Sequence, residues 1–156
     1  MTQTNAAVTE TETALAVLRS MVGIADTTVE RGTAGLTLTQ FRALRVIAER
    51  TPVTMGRVAA ELGMNPSSVT RACDRLEASK LLHRAPNPLN KRETLLAPTA
   101  RGRRLVDRVD HDRRSVLSEV LDRMEPRARE RLALVFGAFA DAAEAVLHSG
   151  DNADRG

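Results

Sequence analysis

Apolar residues recur at helical spacing along most of this chain, and the rhythm changes only between residues 81 and 97. From Thr9 to Glu30, the residues Ala14, Leu15, Val17, Leu18, Met21, Val22 and Ala25 fall on one helical face, and Gly32 and Gly35 end it. A second helix carries Phe41, Leu44, Ile47 and Ala48 on its inner stripe, with Thr39 as its cap. Thr51-Pro52 ends that helix, because proline disfavours helical geometry in the residue before it. Thr54 caps a third helix with Val58, Ala59 and Leu62 inward, and Gly63 suits its stop because glycine takes positive φ without steric cost. Asn65 then caps a fourth helix and Pro66 suits its first position, where a missing N–H costs nothing. Its inner face is Val69, Ala72, Cys73 and Leu76.

Residues 81–85 and 93–97 are strand candidates separated by the turn formers Pro86-Asn87-Pro88-Leu89-Asn90-Lys91-Arg92. Together they predict a β-hairpin with a basic tip, a wing. Thr99 caps a long helix over 100–124 carrying Leu105, Val109, Val116, Leu117, Val120 and Leu121, which Glu125-Pro126 breaks. A last helix from Arg127 to Leu147 carries Leu132, Val135, Phe136, Phe139, Ala142, Ala143 and Val146. Residues 1–8 and 149–156 read as a disordered arm and tail. The predicted fold class is mainly α with a small β-hairpin wing.

Composition adds a constraint on the core. With three Phe and no Trp or Tyr among 156 residues, the core must rest on Leu, Val, Ala and Met. The same scarcity argues against a stacking platform for single-stranded nucleic acid. The net charge of +3 is unevenly spread. Residues 54–104 hold ten Lys and Arg against four acids, a net +6, whereas 1–53 are neutral and 105–156 carry −3. A basic excess confined to one segment is an electrostatic footprint for phosphate, and a solvated charged surface is its plainer reading. One cysteine, Cys73, excludes an internal disulfide. The start of the chain lacks a basic, then apolar, leader pattern, and no apolar run reaches the ~20 residues that span a bilayer, so a soluble cytoplasmic protein is expected.

The segment that carries the most information is 54–76, TMGRVAAELGMNPSSVTRACDRL. Ala59 is small where two helices would touch, Gly63 is a turn glycine, and Val69 is a buried branched residue. That is the requirement of a helix-turn-helix, which presents its second helix to a DNA major groove. With Val69, Cys73 and Leu76 inward, Ser67, Ser68, Thr70, Arg71 and Arg75 are left for the DNA side. Arg71 is the candidate for direct readout, since guanidinium bonds guanine at two atoms; its alternative is a phosphate contact or an ion pair with Asp74 or Glu77. Ser67, Ser68 and Thr70 are versatile donors whose alternative is first-turn capping, and Pro66 is a thymine-methyl contact or simply a helix starter. Thr54 and Arg57 are candidates for phosphate contacts. In the wing, Arg92 suits the minor groove, with Asn90 beside it and Lys91 and Arg84 supporting it through phosphate.

Other chemistry is thin. Cys73 lies on an inner face with no resolving cysteine and reads as an inert core residue. Asp107 and His111, four apart, read as a surface pair rather than as metal ligands. There is no HExxH, P-loop, GxGxxG or nucleophile elbow, so neither an enzyme nor a cofactor or metal is expected.

The stretches VAAELGMNPSSVTRACDRLEASKLLHR (58–84) and NKRETLLAPTARG (90–102) resemble the MarR family of winged helix-turn-helix regulators, and the resemblance extends over roughly residues 9–147. Arg92 matches the family's wing arginine, and Thr99 and Gly102 match the start of its long helix. Asn90 stands where the family usually has Asp, which implies a looser, more positive wing. Pro98 stands where it usually has Leu, which implies a strand that ends one residue early. The resemblance implies a winged helix-turn-helix domain at 36–99 flanked by dimerisation helices at 9–35 and 125–148, joined by the C-terminal half of 100–124. A two-fold partner would cover the apolar stripes of those terminal helices and make a homodimer. The implied function is a repressor of pseudo-palindromic operators on double-stranded DNA, relieved by a small-molecule effector, with Met21, Leu44 and Val109 as candidate pocket residues whose alternative is core packing. The competing reading is a winged-helix module that binds protein without DNA.

Overall fold

The computed structural model describes residues 2–33 and 35–153. Its elements run α1 (Thr2–Thr33), α2 (Leu38–Arg50), β1 (Val53–Thr54), α3 (Met55–Leu62), α4 (Pro66–Ala78), β2 (Leu82–Pro86), β3 (Thr94–Pro98), α5 (Ala100–Asp122) and α6 (Pro126–Ala153). The fold is mainly helical with a small antiparallel sheet of order β1-β3-β2. The chain divides into two compact units, 1–115 and 116–156. Among the described residues no helix is long and apolar enough to cross a membrane.

The core lies in the first unit. Phe41, Leu44 and Ile47 of α2, Val58 of α3, Val69, Cys73 and Leu76 of α4, Leu96 of β3 and Val109 of α5 are fully buried. These are the stripes that helical spacing predicts. Arg113 adds a polar key on the far side of this core. Its guanidinium lies 4.8 Å from the centre of the Phe41 ring, and Nε donates to Thr28 Oγ1 at 3.2 Å, which ties α5 to α1 and α2. Burial lowers the Arg113 pKa from its ordinary value, and Asp110 opposes that shift.

Several boundaries differ from those the sequence predicts, each for a local reason. Thr37, not Thr39, caps α2. Thr37 Oγ1 accepts from the Gln40 N–H while Gln40 Oε1 accepts from the Thr37 N–H, so two orphan donors are satisfied reciprocally where Thr39 would serve one. The short strand β1 has no signature in the hydrophobic pattern; Val53 and Thr54 pair with Leu96 and Leu95. The hairpin strands start one residue later than expected, because Leu81 is already used: its N–H closes α4 on the Leu76 carbonyl and its own carbonyl accepts from the Thr99 N–H. Pro98 does not shorten β3; it pairs with Leu82 as the last position of the ladder. β1 reaches only as far as Leu96, so at Pro98 the missing N–H forfeits no bond to a second neighbour. The arm and tail expected to be disordered are largely helical: α1 begins at Thr2 and α6 continues to Ala153. Extending an existing helix avoids the cost of nucleation, so polar ends can stay wound. Met1 and 154–156 lie outside the described residues.

The end of α4 and the start of α5 meet at one junction. After Ser79, Lys80 takes φ of 59°, and the N–H groups of Lys80 and Leu81 bond the carbonyls of Glu77 and Leu76. This is a Schellman closure with lysine where glycine is the usual residue. Thr99 Oγ1 donates to the Lys80 carbonyl at 2.8 Å and accepts from the Gly102 N–H at 3.0 Å. Gly102 passes so close to Leu81 that a Cβ on it would collide with the Leu81 carbonyl oxygen.

Two substitutions test this junction by urea unfolding. Gly102→Ala should destabilise by roughly 1–3 kcal/mol through overpacking against backbone, although Gly→Ala in a helix normally stabilises. The control is Gly56→Ala in α3, where a Cβ meets nothing within 4 Å and no loss is expected. Lys80→Gly should gain about 0.5–1 kcal/mol with an unchanged m-value, because it removes the left-handed penalty of a side chain.

Candidate nucleic-acid interface

The helix-turn-helix is built from two well-capped helices. Thr54 Oγ1 accepts from the Arg57 N–H, and Gly63 ends α3 at φ 59°, ψ 35° with its N–H directed to the carbonyls of Ala59 and Ala60. Asn65 Oδ1 accepts from the Ser67 N–H at 2.9 Å, and Pro66 occupies the first turn of α4. Ala59 is buried at the contact of the two helices, and its small side chain permits their close approach.

The outward side of α4 divides into a centre and two margins. Helical spacing puts Ser67, Arg71 and Asp74 at the centre, Thr70 and Glu77 on one margin, and Ser68 and Arg75 on the other. Ser67, Thr70, Arg71 and Arg75 are exposed and Ser68 is half-buried. Part of the hydroxyl chemistry is already committed. Ser67 Oγ donates to Asn65 Oδ1 at 2.8 Å and Thr70 Oγ1 donates to the Pro66 carbonyl at 2.9 Å. As placed, both present acceptor lone pairs outward. Arg71 makes only a long 3.5 Å contact to Ser68 Oγ, not an ion pair with Asp74 or Glu77.

Those two acids are instead held by Arg84, which β2 presents to the Thr70–Glu77 side of α4. Arg84 Nη2 donates to Asp74 Oδ1 at 2.6 Å, and Nε lies 3.3 Å from Glu77 Oε2. The second approach is close enough for charge pairing but not aligned for a hydrogen bond, which leaves the buried Nε–H without an acceptor among the described residues. Arg84, expected to hold phosphate, is thus turned onto two carboxylates, and its side chain is only 27% exposed. The consequence is electrostatic: the acids of α4 are offset from behind, while Arg71 and Arg75 keep their charge toward solvent.

The wing tip is braced by its own polar side chains. Asn87 Nδ2 donates to Glu93 Oε2 at 3.0 Å, Asn87 Oδ1 accepts from the Leu89 N–H at 3.0 Å, and Asn90 Oδ1 accepts from the Arg92 N–H at 3.1 Å. Asn90 therefore ties the turn through Arg92's backbone rather than its guanidinium, so the missing Asp does not leave this tip without cross-links. Lys91 and Arg92 are exposed at the end of the turn, with no ion pair among the described residues. Arg57 is likewise exposed at the first turn of α3, while Thr54 is half-buried.

The remaining sequence candidates fall elsewhere. Cys73 is fully buried, and desolvation raises its pKa to about 11, so the thiol is not a thiolate at neutral pH. Leu44 and Val109 have no exposed surface, whereas Met21 is 39% exposed. Val109 instead lies against Gly32, and packing is what both buried residues visibly do. Asp107 and His111 are both exposed on α5.

One feature escaped the sequence reading. An open depression of about 450 Å³ lies between the first turn of α2 and the Ser68–Arg75 margin of α4, lined by Thr37, Thr39, Gln40, Ser68, Arg71, Ala72, Asp74 and Arg75. The spacing Thr37-x-x-Gln40 is a capping-box signature and would have placed the start of α2 correctly. Nothing in the pattern says that this turn packs beside α4.

Comparison with known proteins agrees with this architecture. A sequence profile described as "MarR family" matches residues 34–93. The crystal structure of RV1404 from Mycobacterium tuberculosis is 32% identical, covering 85% of this chain and 90% of that one, with a TM-score of 0.77. The uncharacterized HTH-type transcriptional regulator YcgE of Bacillus subtilis is 27% identical over 111 residues, 70% of each chain. The structure of Streptococcus pneumoniae FabT in complex with DNA has the same fold at 18% identity, covering 88% of this chain and 95% of that one, with a TM-score of 0.74. A winged helix-turn-helix with a basic outer face, a matching profile and a relative this similar over nearly its whole length lead to one conclusion: the chain belongs to the MarR family of DNA-binding transcriptional regulators and is not an enzyme.

Proposed function

We propose that the protein acts as a homodimeric repressor that reads a pseudo-palindromic operator through α4 in the major groove and Arg92 in the minor groove. The observation that carries this reading is the charge arrangement on α4. Asp74 and Glu77 are both paired with Arg84 on the wing side, which offsets one of their two charges, while Arg71 and Arg75 stand exposed with no ion pair among the described residues. In this reading Arg71, Ser67 and Thr70 face base edges, with Pro66 and Ser68 at the groove's margin. Thr54, Arg57 and Lys91 hold phosphates. Asn90 shapes the turn that aims Arg92. Arg84 acts as a positioning residue that locks the wing onto the recognition helix. FabT was solved with DNA on this same fold, which supports the docking mode.

A second copy of the chain supplies the symmetry. α1 exposes Leu15, Leu18 and Val22, and α6 exposes Leu134, Val135, Phe139 and Val146. Clusters of this kind on helices with polar opposite faces mark association surfaces. Two recognition helices read half-sites one turn apart only when their separation fits, so a small-molecule effector that changes that separation would relieve repression. The alternative of a protein-binding module is disfavoured by α4 itself, which exposes no large apolar side chain among the described residues.

Gel-shift titration on the chain's own upstream DNA at two salt concentrations tests the reading. A shift that weakens steeply with salt is expected, at roughly 0.9 in log–log slope per phosphate neutralised. No shift at low salt, or one indifferent to salt, defeats it. Arg71→Ala should cost about 10- to 100-fold on the operator and less on unrelated DNA, whereas Lys91→Ala should weaken both alike. For the dimer, Phe139→Asp should raise the dissociation constant on the order of 100-fold or more in analytical ultracentrifugation, because it buries a charge in place of an aromatic anchor.

A further inference from the structure

The depression between α2 and α4 holds more uncommitted polar chemistry than packing requires. Capping by Thr37 and Gln40 leaves the Thr39 hydroxyl with no hydrogen bond among the described residues, although Thr39 sits in the same exposed turn. Across the depression, among the described residues, Arg75 has no ion pair and Arg71 has only its long contact to Ser68. The one acid in the lining, Asp74, is already paired with Arg84 at 2.6 Å. The site is open to solvent, and its volume of about 450 Å³ is ample for a phosphodiester group. Hydroxyl and guanidinium groups lining one solvent-open concavity, with its one carboxylate already ion-paired, make a site for an oxyanion.

We infer that this depression is a DNA-backbone phosphate seat, in which Thr39 and Arg75 clamp a phosphate at the edge of the major groove entered by α4. The inference rests on the DNA-binding reading above and extends it to α2, an element outside the helix-turn-helix. It also separates the two arginines by role. Arg71 lies nearer the centre of α4's outward face and Arg75 lies on the margin beside α2, so a bound phosphate fixes how far the helix rotates and which face meets the bases. A duplex backbone is favoured over a free anion because the same face carries Arg71 and the serines toward the groove, so one docking event fills both.

The test uses the full chain and its upstream DNA. Thr39→Ala should weaken binding on the order of ten-fold on operator and unrelated DNA alike, with unchanged helicity and Tm, and Thr39→Ser should restore it. Arg75→Ala should lower the salt slope by about 0.9 for each phosphate released. Scanning with methylphosphonate linkages, which remove one backbone charge at a time, should find a position in each half-site where Thr39→Ala loses less than wild type does and the Thr39→Ala, Arg75→Ala double variant loses nothing further. Inorganic phosphate, titrated at constant ionic strength against chloride, should bind the wild type no better than millimolar. The inference is overturned if Thr39→Ala binds as wild type does, if its loss attaches to no single linkage, or if Thr39→Ser fails to rescue. Tight binding of inorganic phosphate with unaltered DNA affinity in the variants would overturn it too and mark a free-anion site. Failure of wild type to bind DNA at all would instead remove the parent reading.

Discussion

The junction of Thr99 and Gly102 with Lys80 and Leu81 is the constraint on which the DNA-facing half of the molecule depends. Four chain segments converge there: the end of α4, the start of β2, the end of β3 and the first turn of α5. Thr99 joins them with its hydroxyl and its N–H, and Gly102 lets the helix backbone lie against the Leu81 carbonyl. Contacts of this kind have no slack, since both partners are backbone and neither has a rotamer to change. Movement of the recognition helix relative to the first turns of α5 must therefore break or bend this joint. Arg113, braced against Phe41 and Thr28, fixes α5 again several turns further on. α5 is thus held at its first turn by Thr99 and Gly102 and again at Arg113.

Electrostatics on this lobe are arranged by pairing as much as by composition. The recognition helix carries two acids as well as two arginines, and counted alone it would offer DNA nothing. Arg84 changes that balance from the next strand. It draws Asp74 and Glu77 to the wing side and leaves Arg71 and Arg75 as the charges a phosphate would meet. The same ion pairs fasten hairpin to helix, so the orientation of the wing and the polarity of α4 are set by one side chain. An arginine suits this work better than a lysine, because its planar fork can address two carboxylates at once.

Much of the fold was legible in the sequence because helix boundaries are decided locally. Asn65-Pro66, Gly63 and Thr54 each act within a few residues of themselves, and the structure uses all of them as caps or stops. The stripe Val69, Ala72, Cys73, Leu76 had to point inward whatever lay opposite. Less was legible where two local solutions competed: Thr37 and Thr39 are both plausible caps, and the choice fell on the one with a glutamine three residues on. The strand bounds moved by one because Leu81's N–H was taken by the end of α4 and its carbonyl by Thr99, far along the chain.

The sequence by itself determined the winged helix-turn-helix, the family and the basic segment that meets DNA, because periodicity, capping chemistry and local charge are properties of neighbours. The tertiary structure alone decided what each charge does. A charge count sets Asp74 and Glu77 against Arg71, Arg75 and Arg84 alike, and only the approach of β2 to α4 pairs the two acids with Arg84 rather than with the arginines of their own helix. Likewise Leu44 and Val109 are buried in the core, and Thr39 comes to line one depression with Arg75. The physical reason is the same in each case: partners distant in sequence are chosen by packing, and a side chain's chemistry is whatever its partners leave uncommitted.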